Sequence, residues 1–323
     1  SRGYGIHTNL SYNPSENWNY GMVLTRYDDE LDINDMGYLR RNDLEELSMS
    51  GEWVQTGFSE DSVAASASWE LELTLARNTA GDHFPSEFEF SRRAKLRSGS
   101  ETRFEIGYQT EGYDDIISRG NGRVRLNDRW NAELSYRTPR RGAWANRFEL
   151  EILQDGYEDW TTSIGASTTW YCADNLNIEF ELNPTWSKDW LIWLREEDRL
   201  ASFSKQQVTG SINGAWFPAE DHEVRLRTQW YVIDATGEQG YDIAPGGGLV
   251  ESADPVEDFA EINFSLQLRY RYEIAPLSDL YVVYSRGGED TLRDTDRNPV
   301  QLLGDSTGLR DSDQFLVKLR YRF

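Results

Sequence analysis

Apolar and polar residues alternate one by one over long stretches of this chain. That period of two belongs to a β-strand, whose successive side chains point to opposite sides of the sheet. The longest run places Ala260, Ile262, Phe264, Leu266, Leu268, Tyr270, Tyr272 and Ile274 on one face and Glu261, Asn263, Ser265, Gln267, Arg269, Arg271 and Glu273 on the other. Val224 to Val232 and Ala65 to Leu75 repeat the pattern, and shorter versions start at Phe104, Trp130, Trp144 and Leu176. A helix of 3.6 residues per turn would scatter the same apolar residues around all its sides. The pattern predicts about fifteen strands, over 4–12, 17–27, 44–56, 62–76, 86–97, 101–112, 120–138, 143–154, 158–172, 175–195, 203–217, 222–235, 258–274, 278–288 and 312–323.

Between these runs the connections alternate in length. Short ones such as Asn13-Pro14-Ser15-Glu16, Arg97-Ser98-Gly99-Ser100 and Ala275-Pro276-Leu277-Ser278 are built from turn formers. Long ones, expected near 28–43, 77–85, 113–121, 155–158, 196–203, 237–257 and 289–311, are rich in Asp, Glu, Arg and Gly. Tight turns on one rim and extended loops on the other are the connectivity of a membrane barrel, with the short set in the periplasm and the long set outside the cell.

A strand with one apolar and one charged face belongs between two different solvents. At the end of the chain Phe315, Val317, Leu319, Tyr321 and Phe323 share a face, and Lys318, Arg320 and Arg322 occupy the other. This ending resembles the terminal strand of bacterial outer-membrane barrels, and the resemblance implies that Tyr321 and Phe323 act as the signal read by the barrel-assembly machinery. The predicted fold class is therefore all-β: an antiparallel transmembrane β-barrel of the outer-membrane type with about 16 strands, one domain over residues 1–323. An odd strand count is expected to leave at least one N-terminal strand to be supplied from before Ser1. A soluble β-sandwich is the rival fold, but its strands are shorter and its inner faces favour Val, Ile and Leu.

Composition supports this reading. The chain is 38% hydrophobic, its mean hydropathy is -0.70, and no apolar run approaches the roughly 18 residues of a spanning helix. Aromatics make up 13%, with 12 Trp and 17 Tyr, more than packing needs and suited to two interfacial girdles. The net charge of -23 argues against a nucleic-acid partner, whose phosphates draw affinity from clustered Lys and Arg. Outer-membrane lipid and lipopolysaccharide, met by acidic loops, are the expected partners, with a protein partner at the loops or lumen as a further expectation. The residues Ser1-Arg2-Gly3-Tyr4 show neither a charged n-region nor an apolar h-region.

Candidate chemistry is concentrated on the polar strand faces. Arg225, Arg227, Arg269, Arg271, Lys318 and Arg320 predict a cationic lumen wall, while Glu70, Glu72, Glu149, Glu151, Glu179 and Glu181 predict an anionic one. Such walls orient polar solutes in an open lumen, or neutralise each other in a sealed one. Cys172 stands alone, so no disulfide or thiolate cluster forms. His7 and His222 read as incidental, and His83 as an ordinary loop histidine. Acidic groups at Asp28, Asp29, Glu30 and Asp32 and at Asp290, Asp294, Asp296 and Asn298 offer oxygen ligands without the spacing of a calcium loop. No catalytic residue, metal or cofactor is expected.

The segments Asp32-Ile33-Asn34-Asp35-Met36-Gly37-Tyr38-Leu39-Arg40-Arg41-Asn42-Asp43, Arg119-Gly120-Asn121-Gly122 and Ala275-Pro276-Leu277-Ser278-Asp279-Leu280-Tyr281-Val282-Val283-Tyr284-Ser285 resemble a family of large bacterial outer-membrane proteins. Its members carry an N-terminal periplasmic domain similar to family 9 carbohydrate-binding modules and a C-terminal barrel. The resemblance implies that this chain is the barrel portion, that the upstream domain is absent here, and that the solute is a saccharide. It supplies no active site, although some members are labelled hydrolases. The function expected is a passive outer-membrane channel for hydrophilic solutes in a Gram-negative bacterium. The alternative is a barrel that anchors a cell-surface complex without transport; a membrane-embedded hydrolase ranks below both.

Overall fold

The computed structural model describes residues 3–32, 39, 41–155, 157, 159–293 and 297–322. It is an all-β antiparallel fold. In chain order the elements are β1 (Gly5–Ser15), β2 (Trp18–Tyr27), β3 (Leu44–Gln55), β4 (Ala64–Arg77), β5 (Glu87–Leu96), β6 (Glu101–Gln109), β7 (Gly112–Asp114), β8 (Val124–Leu126), β9 (Arg129–Arg137), β10 (Trp144–Leu153), β11 (Thr161–Ala173), β12 (Leu176–Leu194), β13 (Arg199–Ala219), β14 (His222–Ile243), β15 (Leu249–Ser252), β16 (Phe259–Ala275), β17 (Ser278–Arg293), α1 (Pro299–Ser306) and β18 (Ser312–Arg320). Among the described residues no helix is long and apolar enough to cross a membrane.

Sixteen strands form one sheet, ordered β1-β2-β3-β4-β5-β6-β9-β10-β11-β12-β13-β14-β16-β17-β18 with β15 paired to β14, while β7 and β8 make a separate hairpin. Each strand on the main path pairs antiparallel with the one before it on that path, through tight turns at one end of the sheet and longer connections at the other. Gly99 in the β5–β6 turn has φ 83°, the left-handed conformation open to glycine. Leu277 in the β16–β17 turn takes φ 66° at the cost of side-chain crowding.

The sheet is rolled, and its two edges are open. Within the β7–β8 hairpin Tyr113 pairs with Arg125. The Tyr113 amide donates to the His83 carbonyl at 2.9 Å, and the Arg125 amide donates to the Gly247 carbonyl at 2.7 Å. His83 lies just before β5, and Gly247 follows β14, seven steps along the sheet. Laid flat, seven strand spacings would separate them by about 34 Å, whereas a hairpin between them leaves about 15 Å. At the other margin, among the described residues, β1 pairs only with β2 and β18 only with β17, and every residue of both edge strands is exposed. With alternating directions along the path, β1 and β18 run the same way.

The buried core sits at the long-connection end. Three clusters form there: Val124 and Leu126 of β8 against Leu191, Trp193 and Leu200; Ala201, Phe203, Ile233 and Ala235; and Val232, Ala260 and Ile262 under Leu302 of α1. Here the structure corrects several expected loops. The segment 196–203 is strand from Arg199, the segment 237–257 contains the end of β14 and all of β15, and the segment 289–311 holds the end of β17 and α1. In β12 to β14 both faces are covered, so the upper strands carry apolar residues on both sides and alternation no longer marks them.

Candidate functional site

The two faces of the sheet differ in chemistry. On one face large apolar side chains lie open, including Leu71 at 65%, Phe148 at 52%, Leu182 at 51% and Phe315 at 70%. The other face is charged, yet Glu223, Ser211 and Lys205 on it are buried. An extended exposed apolar surface of this kind marks a surface that meets something other than water.

The open face is bounded by rows of polar and amphipathic groups. Trp18, Trp53 and Trp69 are in direct register and stack, with the Trp53 and Trp69 ring centroids 4.6 Å apart. Trp144 and Trp170 continue this aromatic row at the short-turn end. Toward the long-connection end Arg26, Glu45 and Arg77 form a second row in direct register, with Tyr108 and Trp130 serving as the equivalent on β6 and β9. Glu45 to Trp53 covers nine residues of β3, whose eight steps span roughly 27 Å of strand and about 20 Å of height at a 40° tilt. On the β14–β17 side the same face is covered from Val232, Ala260 and Ile262 upward by α1, and Arg286 donates to the carbonyls of Leu309 and Thr307. Only Leu266 to Ile274 of β16 stay open, again a nine-residue band.

The opposite face carries the predicted charges. Glu70 and Glu72 on β4, Glu149 and Glu151 on β10, and Glu179 and Glu181 on β12 all point to it. The register adds four carboxylates that sequence reasoning missed: Glu52, Glu89, Glu105 and Glu133. Glu52 stands opposite Glu70, Glu72 opposite Glu89, Glu105 opposite Glu133, and Glu133 opposite Glu151. Like charges placed directly opposite destabilise a sheet, and cations meet only part of this row. Arg103 pairs with Glu105 and Arg147 with Glu149 at 2.6 Å. Toward the short-turn end the same wall turns cationic, with Arg93 opposite Arg103 and Arg137 opposite Arg147 around a cavity of about 440 Å³. Strand parity could have found these residues; only the register could show that they meet.

The predicted cationic wall comes together on β14, β16 and β18. Arg225 faces Arg269 across the ladder, Arg227 faces Gln267, and Lys318 faces Tyr281. Part of this charge is neutralised. Glu223 pairs with Arg225, with Arg269 at 3.6 Å and with Arg271 at 3.9 Å. Fully buried Asp279 pairs with Arg271 at 2.8 Å and with Arg320. The two predicted walls therefore differ, one keeping a row of opposed carboxylates and the other binding most of its guanidiniums to acids.

The remaining candidates disperse. His7 Nδ1 lies 3.1 Å from the Thr25 hydroxyl. His222 stacks on Tyr272 with its Nδ1 2.6 Å from the Tyr270 hydroxyl. His83 forms an isolated bridge with Arg77, and Cys172 is a free, half-buried thiol. Asn298 caps α1, accepting from the amides of Val300 and Gln301, so its oxygen is committed. Asp294, Asp296, Phe323 and the stretch 33–38 lie outside the described residues; Tyr321 lies within them, just past β18. Asp82 pairs with Arg123 of the hairpin segment, and that guanidinium holds its carboxyl below the ordinary carboxylate range.

The chain belongs to a family described as a domain of unknown function, DUF5916, whose family model matches residues 1–323. That membership is compatible with the carbohydrate-binding-associated family that the three short segments resemble. No curated protein matches the chain.

Proposed function

We propose that this sheet is the greater part of an outer-membrane β-barrel whose polar face lines a water-filled conduit for hydrophilic solutes. The observation that carries the reading is the pairing of an open apolar face, about 20 Å high between its polar and aromatic rows, with an opposite face bearing directly opposed carboxylates. A hydrocarbon layer accounts for the first face and water for the second. Glutamates opposed in pairs are tolerable where water and mobile cations screen them. Because β1 and β18 run in the same direction, an antiparallel closure takes an odd number of further strands, which gives an even-stranded barrel.

The test is single-channel recording from purified protein in a planar bilayer, with oligosaccharides added as candidate solutes. Stable conductance that favours cations and is blocked by sugars supports the conduit; a silent bilayer from folded, inserted protein refutes it. One observation favours the second reading, a non-transporting anchor: the β7–β8 hairpin and the β14–β15 turn meet at the long-connection end and are packed with buried side chains. A silent bilayer would move the assignment to that reading.

A further inference from the structure

From the barrel reading above, we infer that the groove over β1 to β4 on the apolar face is a binding site for a lipid with a phosphate-bearing head. The groove has an aliphatic floor of Ile6, Leu24, Leu47 and Leu75, with Arg26 and Arg77 at its long-connection rim. Leu24, Leu47 and Leu75 are in direct register, two residues, or about 7 Å, below the row of Arg26, Glu45 and Arg77. Two guanidiniums share one carboxylate: Glu45 lies 3.4 Å from Arg26 and 2.7 Å from Arg77.

The sharing sets the charge and the geometry. Glu45 holds both arginines on one side of the sheet, and its side chain is only 24% exposed, while those of Arg26 and Arg77 remain 52% and 55% exposed. The row carries one net positive charge, and each guanidinium has N–H donors that Glu45 does not use. The other carboxylates nearby are turned away or occupied. Glu46 also borders the groove, but strand alternation turns its side chain to the opposite face, and Asp43 accepts the Thr79 amide at 2.8 Å. Planar guanidiniums bind phosphate through paired hydrogen bonds. A cationic rim directly above an aliphatic surface matches an amphiphile with an anionic head and acyl chains lying along the strands. The rim lies at the long-connection end, which faces the outer leaflet in the proposed orientation. The occupant is therefore a phosphorylated glycolipid of that leaflet.

The test places full-length protein in nanodiscs of phosphatidylcholine doped with lipid A or with its dephosphorylated form, and counts retained lipids by native mass spectrometry. Wild type should retain the phosphorylated lipid at least tenfold over the other. The Arg26→Gln/Arg77→Gln double variant should lose that preference, and Glu45→Gln should keep or raise it. Equal retention of both lipids by wild type, or an unchanged preference in the double variant, overturns the site. Heat-modifiable migration reports folding; if the double variant does not fold, the wild-type comparison and Glu45→Gln decide. Protein stripped from vesicles by alkaline carbonate would remove the barrel reading and this site with it. Protein that resists stripping but shows no lipid preference removes only the site.

Discussion

Glu133 is the most informative position to perturb, because it faces a carboxylate on each side, Glu105 on β6 and Glu151 on β10. Two carboxylates about 6 Å apart repel by ~0.7 kcal/mol in bulk water and ~3 kcal/mol at an effective dielectric of 20. With two neighbours, Glu133→Gln removes about 1.4 kcal/mol of repulsion if the face is fully wet, and more if water is scarce. The variant is therefore expected to be more stable than wild type by about 1 kcal/mol, read as a higher midpoint in urea unfolding from vesicles. The same change deletes the central charge of the row, so the reversal potential in a KCl gradient should shift toward lower cation preference. Glu179→Gln, whose residue faces Thr169 and Asn213, is the control and should leave stability nearly unchanged. A Glu133→Gln protein that is less stable would mean that a bound cation or partner bridges the row. An unchanged reversal potential would mean that the row lies outside any conducting path.

Leu277→Gly should be neutral or stabilise by up to about 1 kcal/mol, because glycine accepts a positive φ without crowding; a loss of stability in thermal unfolding would contradict the turn geometry. Trp53→Ala removes the central ring of the Trp18, Trp53 and Trp69 stack and should cost about 1–3 kcal/mol, measured by the same urea unfolding. Asp279→Asn should loosen the tie from Arg271 to Arg320 and speed amide exchange in β18, while unchanged exchange would show that backbone pairing alone holds that strand. The Asp82 carboxyl is held below its ordinary 3.8 by Arg123. Its contribution is thus complete above that value and lost as pH falls through the lower folded value, so acid should expose the hairpin to proteolysis, and Asp82→Asn should abolish that pH dependence.

Most of the strand framework was legible because one apolar and one polar face impose strict alternation, and each of the fifteen expected segments overlaps a strand of the main sheet. Legibility failed where both faces are packed. In Trp190-Leu191-Ile192-Trp193-Leu194 consecutive residues enter two different clusters, with Leu191 and Trp193 in one and Trp190, Ile192 and Leu194 in the other. Strands β7 and β8 are only three residues long, too short for periodicity to register. The helix did announce itself, since Asn298, Pro299 and Gln301 spell an N-cap, a first-turn proline and a capping box, but a loop assignment by charge concealed it. On the polar face, alternation identified the wall residues, whereas the opposed glutamates depend on register between strands, which no single segment encodes.

The two free edges have an energetic consequence for the order of events in biogenesis. Along a strand of eleven residues such as β1, about half the residues turn their backbone N–H and C=O groups outward, roughly ten groups in all. In hydrocarbon each unmet group costs several kcal/mol, so one bare edge would outweigh the stability of an ordinary domain of 5–15 kcal/mol. An exposed apolar face and a margin of unmet polar groups thus belong to the same sheet. On the barrel reading, sealing the seam and entering the bilayer form a single coupled step, and a catalyst of insertion would have to shield those margins until it is complete.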